Sequence, residues 1–167
     1  FNEASEDTSL SSCMSSFWDS WQALSDGPED QVNRVSLVQQ SLLLCNNMQS
    51  LSAKIDALRN SLDETIESEV SEINSIASQV AVLNGEIVTL EASGNMASDL
   101  RDKRDYLLNQ LSTVVDFNCN EISDGSYTID INGKLLIWNT EYTAMETRPD
   151  VDDPLHLKEV IWSDTET

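Results

Sequence analysis

Between Pro28 and Gly85 the chain holds no glycine and no proline, and its apolar residues keep helical spacing nearly throughout. These two residues are the strongest punctuators of local structure, so a run without them can remain one helix. In its second half the apolar positions are Ile55, Leu58, Leu62, Ile66, Val70, Ile73, Ile76, Val80, Leu83, Ile87 and Leu90, with steps averaging 3.5 residues. A 3.5 period holds an apolar seam on one side of a left-handed supercoil. Fully helical, the run would extend about 80 Å, against a radius of gyration of roughly 15 Å for a compact globule of this length. The fold class expected is therefore mainly α: an elongated antiparallel helical bundle or coiled-coil rod with a small, partial β-meander appendage. Rods brace, space and assemble, which points to architecture rather than chemistry.

A helix is expected over about 6–25, where Leu10, Met14, Phe17, Trp21 and Leu24 recur at steps of three and four, flanked by Cys13 and Trp18. Three large aromatics on one short helix read as knobs against the next helix. Ser25-Asp26-Gly27-Pro28 supplies a stop and a reversal, and the acidic Glu29 and Asp30 open a second helix over about 29–91. Glu91-Ala92-Ser93-Gly94-Asn95 ends it, and a third helix over about 98–113 carries Leu100, Leu107, Leu111 and Val114 on one face. The first and third helices are too short to cover the second, so part of its stripe needs other chain or another subunit.

After Thr113 the period changes. Val115, Phe117 and Cys119 alternate toward Ile122 and Asp124-Gly125, then Tyr127, Ile129 and Ile131 toward Asn132-Gly133, then Leu135 and Ile137. DG and NG between alternating runs signal hairpins, so a three-stranded meander is expected. Residues 139–153 read as a polar loop and Leu155–Trp162 as a further strand. These expectations divide the chain into a helical rod domain, 1–113, and a β-rich segment, 114–167, with too few strands to stand alone.

Thirty acidic and nine basic residues leave a net charge of -21, which repels phosphate backbones and anionic membranes and argues against nucleic acid and lipid headgroups as partners. Carboxylates such as Asp63, Glu64, Glu67, Glu69 and Glu72 lie outside the apolar stripe and read as a solvated face. Cys13, Cys45 and Cys119 are odd in number and lack CxxC spacing, and the first two, on or beside apolar stripes, read as buried thiols rather than a disulfide. His156 is the only histidine, too few for a His-based metal site. Asp150-Val151-Asp152-Asp153 begins like a calcium loop, but Pro154 holds its fifth position and Ile161 its twelfth, where a bidentate glutamate belongs. No phosphate-binding glycine loop, GxSxG elbow or zinc spacing occurs. The expectation is no catalytic, cofactor-binding or metal residue, and no cofactor.

The densest charged segment is Asp99-Leu100-Arg101-Asp102-Lys103-Arg104-Asp105. Asp99 with Lys103, and Arg101 with Asp105, stand at i,i+4 and read as exposed ion pairs of about 0.2–0.5 kcal/mol each. The surrounding string, Gly94-Asn95-Met96-Ala97-Ser98 followed by this segment and Tyr106-Leu107-Leu108-Asn109-Gln110-Leu111-Ser112, closely resembles the DLRDxRDxLLxxLS signature of the flagellar hook-associated protein FlgK family. Phe17-Trp18-Asp19-Ser20-Trp21-Gln22-Ala23-Leu24-Ser25 is similar to that family's FWxAWxxLSxxP segment, and Glu72-Ile73-Asn74 through Leu83-Asn84 to its INxLAxQIAxLN run. The resemblance covers roughly Phe1 to Gly133. Ser98 stands where the family usually has asparagine, and Ser20 where it often has alanine.

The resemblance implies a non-enzymatic structural component of the bacterial flagellum, exported and extracellular, that joins hook to filament. This chain would be a middle fragment lacking the family's two terminal segments: the rod domain plus the start of an inserted outer domain. Implied partners are hook protein, the second hook–filament junction protein, identical subunits in a ring and, through the missing ends, an export chaperone. The packing positions chosen are Phe17, Trp18, Trp21, Leu58, Ile73, Ile76, Leu83, Leu100 and Leu107; the subunit-contact positions are Asp99, Arg101, Arg104 and Asp105. Two other readings stand beside this one, a coiled-coil signalling or adaptor module binding a regulatory partner through its acidic face, and a metal-dependent enzyme using Asp150–Asp153.

Overall fold

The computed structural model describes residues 9–153 and 157–164. Three helices come first: α1 (Leu10–Asp26), α2 (Gln31–Ala92) and α3 (Ser98–Leu111). Strands β1 (Asn118–Glu121), β2 (Tyr127–Ile131), β3 (Lys134–Trp138) and β4 (Glu141–Tyr142) form an antiparallel sheet in sequential order, and β5 (Met145–Pro149) pairs with β6 (Lys158–Trp162) in a second, two-stranded sheet. The fold is mainly α with a small antiparallel appendage, as the periodicity predicts. The chain falls into two units, Phe1–Asn60 and Ser61–Thr167, and α2 contributes to both.

In the first unit, local chemistry sets the helix ends. Ser9 Oγ accepts from Ser12 N at 3.2 Å and caps α1; the expected start near residue 6 lies outside the described residues. Asp30 Oδ1 accepts from Val32 N at 2.8 Å, so α2 begins at Gln31 rather than 29. Asn33 Nδ2 donates to the Ala23 carbonyl at 3.0 Å, and Arg34 Nε donates to the Pro28 carbonyl at 2.9 Å, which fastens the reversal. Cys13 meets Asn47, whose Nδ2 lies 3.1 Å from its sulfur, and Cys13, Cys45 and Cys119 are free thiols. Contrary to the buried-thiol reading, Cys45 and Cys119 are exposed and Cys13 only half-buried.

Two helices cannot bury both their apolar stripes. Trp18 and Trp21, chosen as packing positions, are 60% and 54% exposed, and Leu58 is 49% exposed. Phe17 is half-buried beneath them, with ring centroids 5.6 Å from Trp18 and 6.0 Å from Trp21. Val32, Val35, Val38, Leu42 and Leu51 are likewise exposed.

The second unit has a true core. Val70, Ile73, Ile76, Ala77, Val80 and Ala81 of α2 pack with Leu111 of α3, Ile129 and Ile131 of β2, Leu136 and Ile137 of β3 and Met145 of β5. Of the other chosen positions, Leu83, Leu100 and Leu107 are half-buried. The strands that follow residue 113 share one core with the Val70–Ala81 stretch of α2. The β2–β3 hairpin turns on Asn132 and Gly133, with φ of 52° and 82°, the pair of left-handed residues that a type I′ turn requires.

The polar stretch 139–153 differs from expectation. It contains β4 and β5, and Thr143 N donates to the Leu136 carbonyl at 2.9 Å. Met145 is the only buried residue of β5 and Thr147 the only half-buried one, so the apolar pattern is too weak to announce the strand; its pairing with β6, Met145 opposite Trp162 through Pro149 opposite Lys158, holds it. The strand expected over Leu155–Trp162 is observed from Lys158; Leu155 and His156 lie outside the described residues.

Candidate functional site

The Asp99–Asp105 segment, chosen from sequence as an exposed contact face, is divided by the helix that carries it. Asp99, Asp102, Lys103 and Asp105 are exposed, whereas Arg101 is half-buried and Arg104 is fully buried. Arg104 stands four residues after Leu100 and seven before Leu111, on the stripe that α3 turns toward α2 and the sheet.

Neither expected i,i+4 ion pair is the one that Arg101 makes. Its Nε lies 2.8 Å from Glu91 Oε1, its Nη2 2.9 Å from Glu91 Oε2 and its Nη1 2.7 Å from Glu121 Oε1, so one guanidinium ties the end of α2 to α3 and β1. The hydrogen bond from Arg101 holds the Glu91 carboxyl below its ordinary value, and the same bond, followed by that to Glu121, moves Arg101 further above its own. Gly125, at φ +85°, closes over this pair; a Cβ there would sit 2.8 Å from Arg101 Nη2 and 2.9 Å from Glu91 Oε2.

Arg104 is the centre of a second, drier network. Nη1 donates to Asn84 Oδ1 at 2.9 Å and to the Gly125 carbonyl at 2.8 Å, and the guanidinium carbon lies 3.4 Å from the centroid of the Tyr127 ring. Nε and Nη2 have no hydrogen-bond partner among the described residues. The aromatic face supplies the attraction that a carboxylate otherwise would. Asn84 uses its full capacity: Nδ2 donates to the carbonyls of Tyr127 at 2.9 Å and Asn139 at 2.7 Å, and Oδ1 accepts from Tyr127 N at 3.1 Å as well as from Arg104. Beside it, Ser126 Oγ lies 2.6 Å from Asp124 Oδ1 and 2.8 Å from Asn139 Oδ1. The Ser126 hydroxyl and backbone N–H lower the Asp124 pKa.

Ten residues earlier on α2, nearly three turns away, Asn74 repeats the arrangement in simpler form. Its Nδ2 donates to the Met145 carbonyl and its Oδ1 accepts from Met145 N, both at 2.8 Å. Nearby, Asp63 Oδ1 accepts from Lys158 N at 3.2 Å, and Lys158 Nζ pairs with Glu67. None of Asn74, Asn84 or Tyr127 stands out by hydropathy. Their position does speak: Asn84 lies between Val80 and Ile87 on the buried stripe, where a polar residue must find partners.

The outer side of the α2–α3 pair is a shallow cleft lined by Gln79, Val82, Leu83, Glu86, Lys103 and Tyr106. The Asp150–Asp153 cluster serves its own loop: Asp150 Oδ1 accepts from Asp152 N at 2.9 Å and Asp153 Oδ2 from Leu157 N at 3.2 Å. Among the described residues no group of three or more His, Cys, Asp and Glu is placed to hold a metal ion.

Comparison with known proteins accounts for this architecture. The model of the flagellar hook-associated protein FlgK helical domain matches residues 1–167. The flagellar hook-associated protein 1 of Salmonella typhimurium is 29% identical over 154 residues, covering 90% of this chain and 28% of that protein, and that of Bacillus subtilis is 28% identical over 120 residues, covering 72% and 24%. The solved flagellar hook junction protein FlgK of Burkholderia pseudomallei superposes with a TM-score of 0.86 over 98% of this chain and 29% of that one, at 20% identity. The chain thus spans less than a third of the length of these relatives. With the family model matching from end to end and a relative's fold shared throughout, the chain belongs to the FlgK helical domain family.

Proposed function

We propose that this chain is a structural, non-enzymatic part of the bacterial flagellum, an extracellular segment of the junction that adapts hook to filament. The observation that carries the reading is the family match along all 167 residues. The exposed apolar positions of the first unit support it physically, because such surface is stable in water only where other chain covers it. Hook protein, the second junction protein, identical subunits in a ring and an export chaperone are the partners that fit. Contacts between repeated subunits are weak singly and summed by repetition.

The contact face on α3 is narrower than the sequence suggests. Arg101 and Arg104 are engaged within the chain, so the exposed Asp99, Asp102, Lys103 and Asp105 are the positions of this segment that can meet a neighbour. Replacing Asp102 and Asp105 by lysine in the full-length protein should leave secretion normal and increase loss of filaments under shear. Secreted variant with normal motility and filament retention would remove this face from the junction.

A further inference from the structure

We infer that Asn74, Asn84 and Arg104 form a polar lock that sets the register in which both sheets dock on the α2–α3 pair. The apolar core beneath them is non-directional: it rewards burial without specifying which strand residue lies against which turn. The two carboxamides do specify it. Asn74 engages both the N–H and the carbonyl of Met145, the first residue of β5, and Asn84 engages both of Tyr127, the first residue of β2. Each side chain therefore stands in for the peptide group of a neighbouring strand, and a strand shifted by one residue would present its next backbone pair in the opposite direction. Arg104 completes the lock from α3 by holding the Gly125 carbonyl of the turn that precedes β2 and by fixing Asn84 Oδ1.

The three residues come from two helices and fix two sheets through backbone groups at the first residues of β2 and β5, which the more peripheral Arg101 and Lys158 ion pairs do not touch. Both asparagines fall in the run Glu72–Asn84, and the arginine in Asp99–Asp105, so two of the chain's most distinctive strings converge on the lock.

Hydrogen exchange measured by mass spectrometry on the full-length polypeptide carrying this chain tests it. Asn74→Asp is isosteric but turns the donor to the Met145 carbonyl into an acceptor. Peptides covering 143–149 should then exchange about tenfold faster, the loss of roughly one hydrogen bond, while α2 peptides from 76–90 and the β2–β3 hairpin keep their wild-type rates. Arg104→Met should produce the complementary result, with the largest gain in exchange at 123–128. Ile73→Val serves as the control, because it trims the core without touching the lock and should raise exchange modestly and evenly across the unit. Wild-type rates at 143–149 in Asn74→Asp, or an even rise everywhere in either polar variant, would overturn the lock.

Discussion

Arg104→Glu and Lys103→Glu change the net charge by the same amount at adjacent positions of α3, yet one side chain is buried and the other exposed. Their comparison therefore separates burial from overall charge. Removing the Arg104 guanidinium forfeits the hydrogen bonds to Asn84 Oδ1 and the Gly125 carbonyl, worth about 1.5–3 kcal/mol each for a charged donor, and its stacking on Tyr127, worth about 2 kcal/mol when desolvated. Relief from burying a cation offsets part of this, but the new carboxylate is itself buried and faces two acceptor oxygens with no donor. A net loss of about 3–5 kcal/mol follows, the usual cost of breaking a buried charged contact. At about 2–4 °C per kcal/mol for a chain of this size, the melting temperature should fall by about 6–20 °C. Lys103→Glu should change stability by about 0.5 kcal/mol or less. Urea unfolding followed by circular dichroism, with m-values compared, measures both. Equal small losses at the two positions would show that Arg104 is solvated and that the network around Asn84 contributes nothing.

Ile73→Asp places an uncompensated charge among Val70, Ala77 and the sheet and should cost several kcal/mol, about 3 or more, whereas Glu72→Gln, exposed on the same helix, should cost less than about 0.5 kcal/mol in the same assay. Gly125→Ala should destabilise by about 2 kcal/mol or more, from a left-handed backbone and a Cβ driven into Arg101 and Glu91; Gly133→Ala, also left-handed but with nothing within 4 Å of the added Cβ, should cost only about 1 kcal/mol. Glu91 and Asp124 have folded pKa values below their ordinary 4.5 and 3.8, so the unfolded chain binds protons first on acidification. Their contribution is present above those ordinary values and is lost as pH falls through the lowered folded ones; Glu91→Gln should flatten the decline of stability with acid, and an unchanged slope would remove Glu91 as its source.

Much of the helical framework is legible in one dimension. The absence of glycine and proline from 29 to 84 and the reversal at Gly27-Pro28 are local signals, and local rules suffice to find α1, α2 and α3, though not the caps at Ser9 and Asp30 that set their first residues. The NG turn between β2 and β3 is equally local, because its backbone needs two left-handed residues whatever surrounds it. The candidate site was legible as a string and not as a surface. Arg104 and Asn84 look solvated when polarity is the only criterion, since burial of a polar group depends on partners many residues away: Asn84 reaches Tyr127 and Asn139, and Arg104 reaches Gly125. Strand β5 shows the same limit, for Met145–Pro149 carries a single large apolar residue and exists because β6 pairs with one side of its backbone and Asn74 holds its first residue. Periodicity decides where a helix can form and which stripe it can bury; only the tertiary structure decides which polar residues on that stripe find the directional partners that make burying them possible.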